Sequence, residues 1–212
     1  MERSLRPTLI TSALVIVSFV PGLALLGELA GSVGEPDAWF TGHFDSSSER
    51  VEDIVGSVLL VVAAIALLSL VQLLVTESSP GCPRWAGYGA VARAAGGLSS
   101  AALLFAGLAF ATTPLSIEIG RLYDDPAFVD GRAVLPQFGY AALTIGAMVP
   151  AAVMIVSITR LQPHPRWVRW PSYVIAGLLP VMSLAVAPIF FLFPGWVALN
   201  AAASWRAATR AG

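Results

Sequence analysis

The residues with the clearest capacity for chemistry form one short cluster of ionisable side chains: His43, Asp45, Glu49, Glu52 and Asp53. The four acids follow an i, i+4, i+7, i+8 spacing, which places them on one face of a helix that starts by residue 46. With the imidazole beside them, they could bind a divalent cation or relay protons. Transition-metal sites usually contain several His or Cys ligands, whereas carboxylates favour hard ions. The pattern therefore predicts a weak ligand cluster.

The same stretch, FDSSSERVED (44–53), is also typical of the start of a helix. Ser46-x-x-Glu49 matches a capping box, in which a serine and a glutamate satisfy free backbone N–H groups. Acids in the first two turns also stabilise the positive end of the helix dipole. Capping explains every residue of this stretch but not His43, which precedes it, so both interpretations stay open.

A further acid, Glu28, ends an apolar run in the sequence LLGELAG. An acid at membrane depth is costly and is often functional, but at the edge of a span it can reach water or headgroups. Both placements stay open. If Glu28 faces a bundle interior, it could approach Glu118 or Arg121.

The segment RLQPHPRWVRWPSY (160–173) combines Arg160, Arg166 and Arg169 with two tryptophans and no acid. Basic residues beside a membrane attract anionic lipid. The segment is therefore either an ordinary cytoplasmic loop or a docking site for anionic lipid or for a partner.

Motifs for catalysis and for cofactors are missing from the sequence. It contains no phosphate loop, no G-x-S-x-G, no H-E-x-x-H and no CxxC. We therefore predict no catalytic residue, no cofactor and no assigned metal site.

The composition places most of the chain in lipid. Of its 212 residues, 57% are hydrophobic and only 12% are charged, against about 25% charged in soluble domains. The net charge of −1 favours no nucleic-acid partner. We predict one all-α integral membrane domain over 1–212 with six apolar spans at 9–29, 54–75, 94–115, 138–158, 170–187 and 189–205. The first span has a basic start like a signal peptide, but its length favours a retained helix.

Arginine counts predict the orientation of these spans. With the N-terminus inside, the cytoplasmic segments hold seven arginines and the outer segments hold three; the seven are Arg3, Arg6, Arg84, Arg93, Arg160, Arg166 and Arg169. Basic residues are retained on the cytoplasmic side. The two arginines near the C-terminus favour the same side, which requires an even number of spans. The prediction is a multi-pass protein of the cytoplasmic membrane with both termini in the cytoplasm.

The C-terminal part of the chain is compatible with two topologies, because 170–205 is long for one span and short for two. The alternative to six spans is five spans with an interfacial helix from Pro194. Trp196 fits a sixth span poorly, since tryptophan prefers the membrane interface.

The third span carries a ridge of small residues at alternating spacings of four and three: Ala95, Ser99, Ala102, Ala106 and Ala109. Small residues allow helices in lipid to approach closely. The ridge predicts either packing inside the chain or contact with a protein partner or a second copy.

Two motifs, PRWVRW (165–170) and FPGWVAL (193–199), resemble those of small six-helix bacterial membrane proteins of unknown function. The resemblance covers about the last third of the chain. It implies a fold plan and no activity.

Three functions are compatible with this sequence. The leading one is a non-enzymatic accessory, scaffold or partner-binding membrane protein, because the spans are apolar. The alternatives are a small transporter or channel-like carrier, and a membrane enzyme that uses His43 and the neighbouring acids at the outer face. A filled apolar interior would favour the first, a polar path to the membrane midplane the second, and a His43 cluster that opens outward the third.

Overall fold

The computed structural model is helical through nearly all of its described residues, which are 2–27, 29, 42–78, 83–120, 134–162, 164–182 and 191–209. Within these ranges six helices follow one another: α1 (Glu2–Leu25), α2 (Ser47–Glu77), α3 (Pro83–Gly120), α4 (Val134–Leu161), α5 (Arg166–Met182) and α6 (Leu192–Thr209). The all-α prediction is confirmed. Helices α1 to α4 are long and apolar enough to cross a membrane.

Large apolar side chains are exposed along these four helices, among them Ile10, Val17, Ile65, Leu98 and Leu108, each more than half exposed. Soluble monomers rarely expose extended apolar surface. Together with the length of the helices, this indicates a membrane location.

The predicted spans and the observed helices differ mainly at their ends. Helix α2 has 31 residues and α3 has 38, which correspond to about 46 and 57 Å. Both exceed the hydrocarbon thickness of about 30 Å, so their polar ends extend beyond the predicted spans. The predicted outer turn around Pro188 lies outside the described residues.

Contacts between helix ends show that consecutive helices run in opposite directions. At one end, Thr8 of α1 donates to the Glu77 carboxylate of α2 over 2.8 Å, and Gln162 after α4 donates to the Leu74 carbonyl oxygen over 3.4 Å. We call this the basic end. At the opposite end, which we call the acidic end, Arg50 at the start of α2 pairs with Glu118 at the end of α3.

Helices α5 and α6 continue the alternation. The Arg206 guanidinium near the end of α6 lies 4.9 Å from the ring centroid of Trp167 at the start of α5. The start of α6 lies beside the other half of α1, because the rings of Phe193 and Phe19 are 5.6 Å apart. The start of α1 and the end of α6 therefore both lie at the basic end.

The helices pack as a ring in chain order, and α6 closes the ring against α1. Phe19, Leu60, Leu67, Phe110 and Trp196 are among the fully buried side chains. Trp196 is 1% exposed and stacks on Phe193. Trp196 therefore lies in the core of the bundle, although tryptophan prefers the membrane interface.

A close backbone contact joins α1 and α2 at a pair of glycines. A Cβ atom placed on Gly56 would lie 2.9 Å from the Gly22 carbonyl oxygen, and one placed on Gly22 would lie 3.0 Å from the Gly56 carbonyl oxygen. Only glycine permits this approach, because any side chain would meet the backbone of the other helix.

The small-residue ridge of α3 packs inside the chain, against α4. Ser99 donates to the Ala147 carbonyl oxygen over 2.8 Å, and a Cβ on Gly146 would lie 3.0 Å from the Cβ of Ala102. Contact of the third helix with a protein partner or a second copy stays a prediction.

Helix α4 contains a π-helical segment, Ala142–Ala147. Pro150 follows it, and proline cannot donate a backbone hydrogen bond and crowds the carbonyl four residues earlier. Within the segment, the carbonyl oxygen of Ala147 accepts the hydrogen bond from Ser99. The buried positions Gly139, Leu143, Ala147 and Ala151 then recur every four residues.

Candidate functional site

The candidate site at the acidic end is built on the start of α2. Residues 42–45 form a helical turn, and Ser46 is extended, with φ −77° and ψ 120°. The Ser46 hydroxyl accepts a hydrogen bond from the backbone N–H of Glu49 over 3.4 Å. The predicted N-cap is confirmed. The Glu49 carboxylate, which a capping box would direct to the backbone of Ser46, contacts His43.

The cap turns the chain so that His43 lies over the first two turns of α2. Its Nε2 is 2.9 Å from Oδ2 of Asp53, and its Nδ1 is 3.2 Å from Oε2 of Glu49. His43 is 8% exposed and Asp53 is 1% exposed. The histidine that capping alone left unexplained is therefore held between two carboxylates.

The contacts of His43 with two carboxylates limit the protonation states that the cluster can adopt. A neutral imidazole has one donor and one acceptor nitrogen, and a carboxylate only accepts. Both contacts of His43 are hydrogen bonds only if the ring is an imidazolium, or if the ring is neutral and one carboxyl group is protonated. Both forms hold one shared proton and carry a net charge of −1.

A cavity of about 310 Å³ opens beside this cluster. It is lined by Ala24, Leu25, His43, Ser48, Glu49, Glu52 and Asp53. The end of α1 supplies its apolar wall and the start of α2 supplies its polar wall. A small molecule or a chain of waters would therefore meet the shared proton directly.

The predicted set of site residues is brought together in part. His43, Glu49, Glu52 and Asp53 share the cavity, whereas Asp45 is exposed and does not line it. The predicted common face assumed a helix through residue 46. The extended backbone at that position places Asp45 before the helix and off its face.

Metal binding has little geometric support in this cluster. Among the residues that the structure describes, no group of three or more His, Cys, Asp or Glu side chains is arranged to hold a metal ion. A metal would need a free lone pair on the imidazole, and both ring nitrogens of His43 face carboxylates.

A second ion pair, which was not predicted from the sequence, stabilises the site. Nε of Arg50 donates to Oε1 of Glu118 over 2.7 Å, and its Nη1 donates to the carbonyl oxygens of Phe44 and Asp45. Arg50 thus connects the helical turn that bears His43 to the end of α3. The sequence contains a signal for this pair, because Arg50 is the one basic residue among the acids of 45–53. Glu28 and Arg121 lie outside the described residues.

At the basic end, Arg160, Arg166 and Arg169 are all exposed. The Arg160 guanidinium lies 5.7 Å from the ring centroid of Tyr173. Trp170, beside Arg169, is 69% exposed. The three arginines therefore present their charge outward around the start of α5.

His164, in the link between α4 and α5, lies beside Asn200 of α6. Burial lowers the pKa of His164 below its ordinary value of 6.5, while a weak interaction with the Asn200 side chain opposes the shift. Nε2 of His164 and Oδ1 of Asn200 are both buried without a hydrogen-bond partner.

The lowered pKa predicts a loss of stability in mild acid. The folded chain binds this proton less readily than the unfolded chain, so the free energy of unfolding falls as pH drops through 6.5 towards the folded-state pKa. Thermal unfolding in detergent at pH 7.5 and 5.5 measures the effect. The loss should be smaller in His164→Leu, and equal losses in both proteins would contradict the prediction.

Comparison with known proteins gives no match: no family model, no curated protein and no solved structure corresponds to this chain. The resemblance carried by PRWVRW and FPGWVAL stays a prediction. Function must therefore be inferred from the two ends of the bundle and from its interior.

Proposed function

We propose that the chain is a six-span protein of the cytoplasmic membrane, with the basic end in the cytoplasm. The alternation of helix direction supports this topology, since it places the start of α1 and the end of α6 at one end. Exposed arginines at that end agree with the retention of basic residues in the cytoplasm. At the opposite end, Arg50 is paired with Glu118.

The packing of α6 supports six spans over five. An interfacial helix would keep one face on the membrane surface. Helix α6 instead buries Phe193, Trp196 and Val197 and packs against α1 and α5. Helices α5 and α6 have 17 and 18 residues, or about 26 and 27 Å, slightly less than the hydrocarbon core.

The role that this interior supports best is a non-enzymatic scaffold or partner-binding subunit. The observation that carries it is the filled core: large apolar side chains from α1, α2, α3 and α6 are fully buried. Several buried hydroxyls, including those of Thr144, Ser157 and Thr159, donate to carbonyls of their own helix. A filled bundle suits a protein that positions other components.

Two measurements test this proposal. A cysteine introduced as Asp45→Cys, in a Cys82→Ser background, should react with an impermeant reagent from outside the cell, and a reporter fused after Gly212 should be active in the cytoplasm. Recovery in mild detergent followed by mass spectrometry should yield a stoichiometric partner. Labelling from the cytoplasm alone would refute the orientation, and a chain recovered alone would refute the subunit role.

A second candidate role, outer-face acid–base chemistry, is favoured by the cavity beside His43. One shared proton next to an open space of about 310 Å³ suits binding of a cationic group or transfer of a proton to a bound molecule. A carrier function would require the cavity to continue from Asp53 towards the middle of the bundle. One turn deeper than Asp53, the hydroxyl of Ser57 is buried without a hydrogen-bond partner.

A further inference from the structure

An apolar groove of about 390 Å³ lies between α4 and α5. It is lined by Ala152, Val153, Val156, Ser157, Tyr173, Ala176 and Gly177. Val153 is 46% exposed, so the groove opens to the surroundings of the bundle. A Cβ atom placed on Gly177 would have no neighbour within 4 Å, which shows that the chain leaves this space unfilled.

Two arginines flank the basic end of this groove. On α4, Arg160 lies one turn beyond Val156, and on α5, Arg169 lies one turn before Tyr173. Residues four apart share a helix face, so both arginines continue the two walls of the groove. The Arg160 guanidinium is already placed against the Tyr173 ring, 5.7 Å from its centroid.

Among the described residues, no carboxylate pairs with Arg160 or Arg169. The same holds for Arg166, which lies one turn before Arg169. The described ion pairs involve His43 and Arg50, both at the acidic end. Exposed guanidiniums at the mouth of an apolar groove therefore have charge that the chain does not balance. An anionic ligand with an apolar tail would complement both features.

We infer that the groove binds an anionic phospholipid of the cytoplasmic leaflet, with its phosphate between Arg160 and Arg169 and one acyl chain along the groove. The inference rests on the proposed orientation, which places this end in the cytoplasm. Guanidinium groups bind phosphate through paired hydrogen bonds, and basic pockets between membrane helices accept anionic headgroups. Trp170, beside Arg169, is exposed and suits the membrane interface, where tryptophan is enriched.

The test compares retention of two lipids by the purified full chain in mild detergent. Native mass spectrometry should show one retained phosphatidylglycerol and a raised unfolding temperature, with weaker retention of phosphatidylcholine. Equal retention of the two lipids would overturn the inference. A rise in unfolding temperature of the same size with inorganic phosphate alone would also overturn it, because the acyl chain would then contribute nothing.

Matched variants separate the headgroup from the groove. Arg160→Gln and Arg169→Gln should each weaken retention of phosphatidylglycerol about fivefold, whereas Arg93→Gln, on α3, removes the same charge elsewhere and should not. Gly177→Leu should fill the groove and reduce retention. Gly97→Leu, where a Cβ also has open space, should leave it unchanged. Unchanged retention in the first two variants or in Gly177→Leu would refute the site.

The orientation is measured separately, by labelling Asp45→Cys in cells. Lipid retention in detergent solution does not depend on orientation. Selective retention combined with labelling from the cytoplasm would refute the proposed topology and keep the lipid site, without its assignment to a leaflet. Unselective retention combined with labelling from outside would refute the lipid site and keep the topology.

Discussion

Replacing Gly56 with leucine should strongly destabilise the folded bundle. The new Cβ would lie 2.9 Å from the Gly22 carbonyl oxygen and 2.9 Å from Cγ of Leu26. A backbone oxygen cannot move aside unless α1 separates from α2. We expect a loss of about 3 kcal/mol in the free energy of unfolding, at the upper end of the range for overpacked cores. Unfolding by SDS in mixed micelles measures it.

The control for this change is Gly97→Leu, because a Cβ at Gly97 meets nothing within 4 Å. It should unfold close to wild type. Gly56→Ala provides a graded case that retains enough fold to measure, with an intermediate loss. If Gly56→Leu and Gly97→Leu unfold alike, the close approach of α1 and α2 at this position is wrong.

Removing the Asp53 carboxylate should be the most damaging single change at the acidic end. In Asp53→Ala, His43 stays buried but loses its partner at 2.9 Å. Removing one member of a buried pair destabilises a protein by more than the pair contributed. We expect a loss of about 2–3 kcal/mol, moderated by water in the adjoining cavity. The same SDS titration measures the loss.

A double-mutant cycle with His43→Ala tests whether the two residues act together. The double variant should be less destabilised than the sum of the single variants, with a coupling of about 1–2 kcal/mol. Glu52→Ala, which changes an exposed acid of the same cavity, is the control and should have a small effect. Additive losses would show that His43 and Asp53 do not interact.

The helices themselves were predictable from composition because each apolar run is long enough to determine its own structure in lipid. The N-cap at Ser46 was predictable for a similar reason, since a cap depends on residues within one turn. Arginine counts predict that both termini lie on one side of the membrane, and this stays a prediction; within the bundle, the contacts of Thr8 and Arg206 lie at the same end.

The site was predictable only in part, because it depends on contacts that sequence spacing does not encode. Spacing alone groups Asp45 with the other acids, whereas the extended backbone at Ser46 separates it from the helix. The pair Arg50–Glu118 joins residues 68 positions apart, and the groove between α4 and α5 depends on which helices become neighbours. Such features follow from packing partners, which local periodicity does not identify.

The π-helical segment of α4 determines where this helix can lose a residue. A regular helix turns 100° per residue, so positions four apart drift by about 40° at each step. The wide turn cancels this drift from Gly139 to Ala151. Deleting one residue from 142–147 would restore regular winding, and the twelve steps from Gly139 to Ala151 would become eleven, or about 1,100°, close to three full turns. The rest of α4 would then keep its rotation, whereas a deletion between Ala151 and Arg160 would turn Arg160 by about 100°, away from α5.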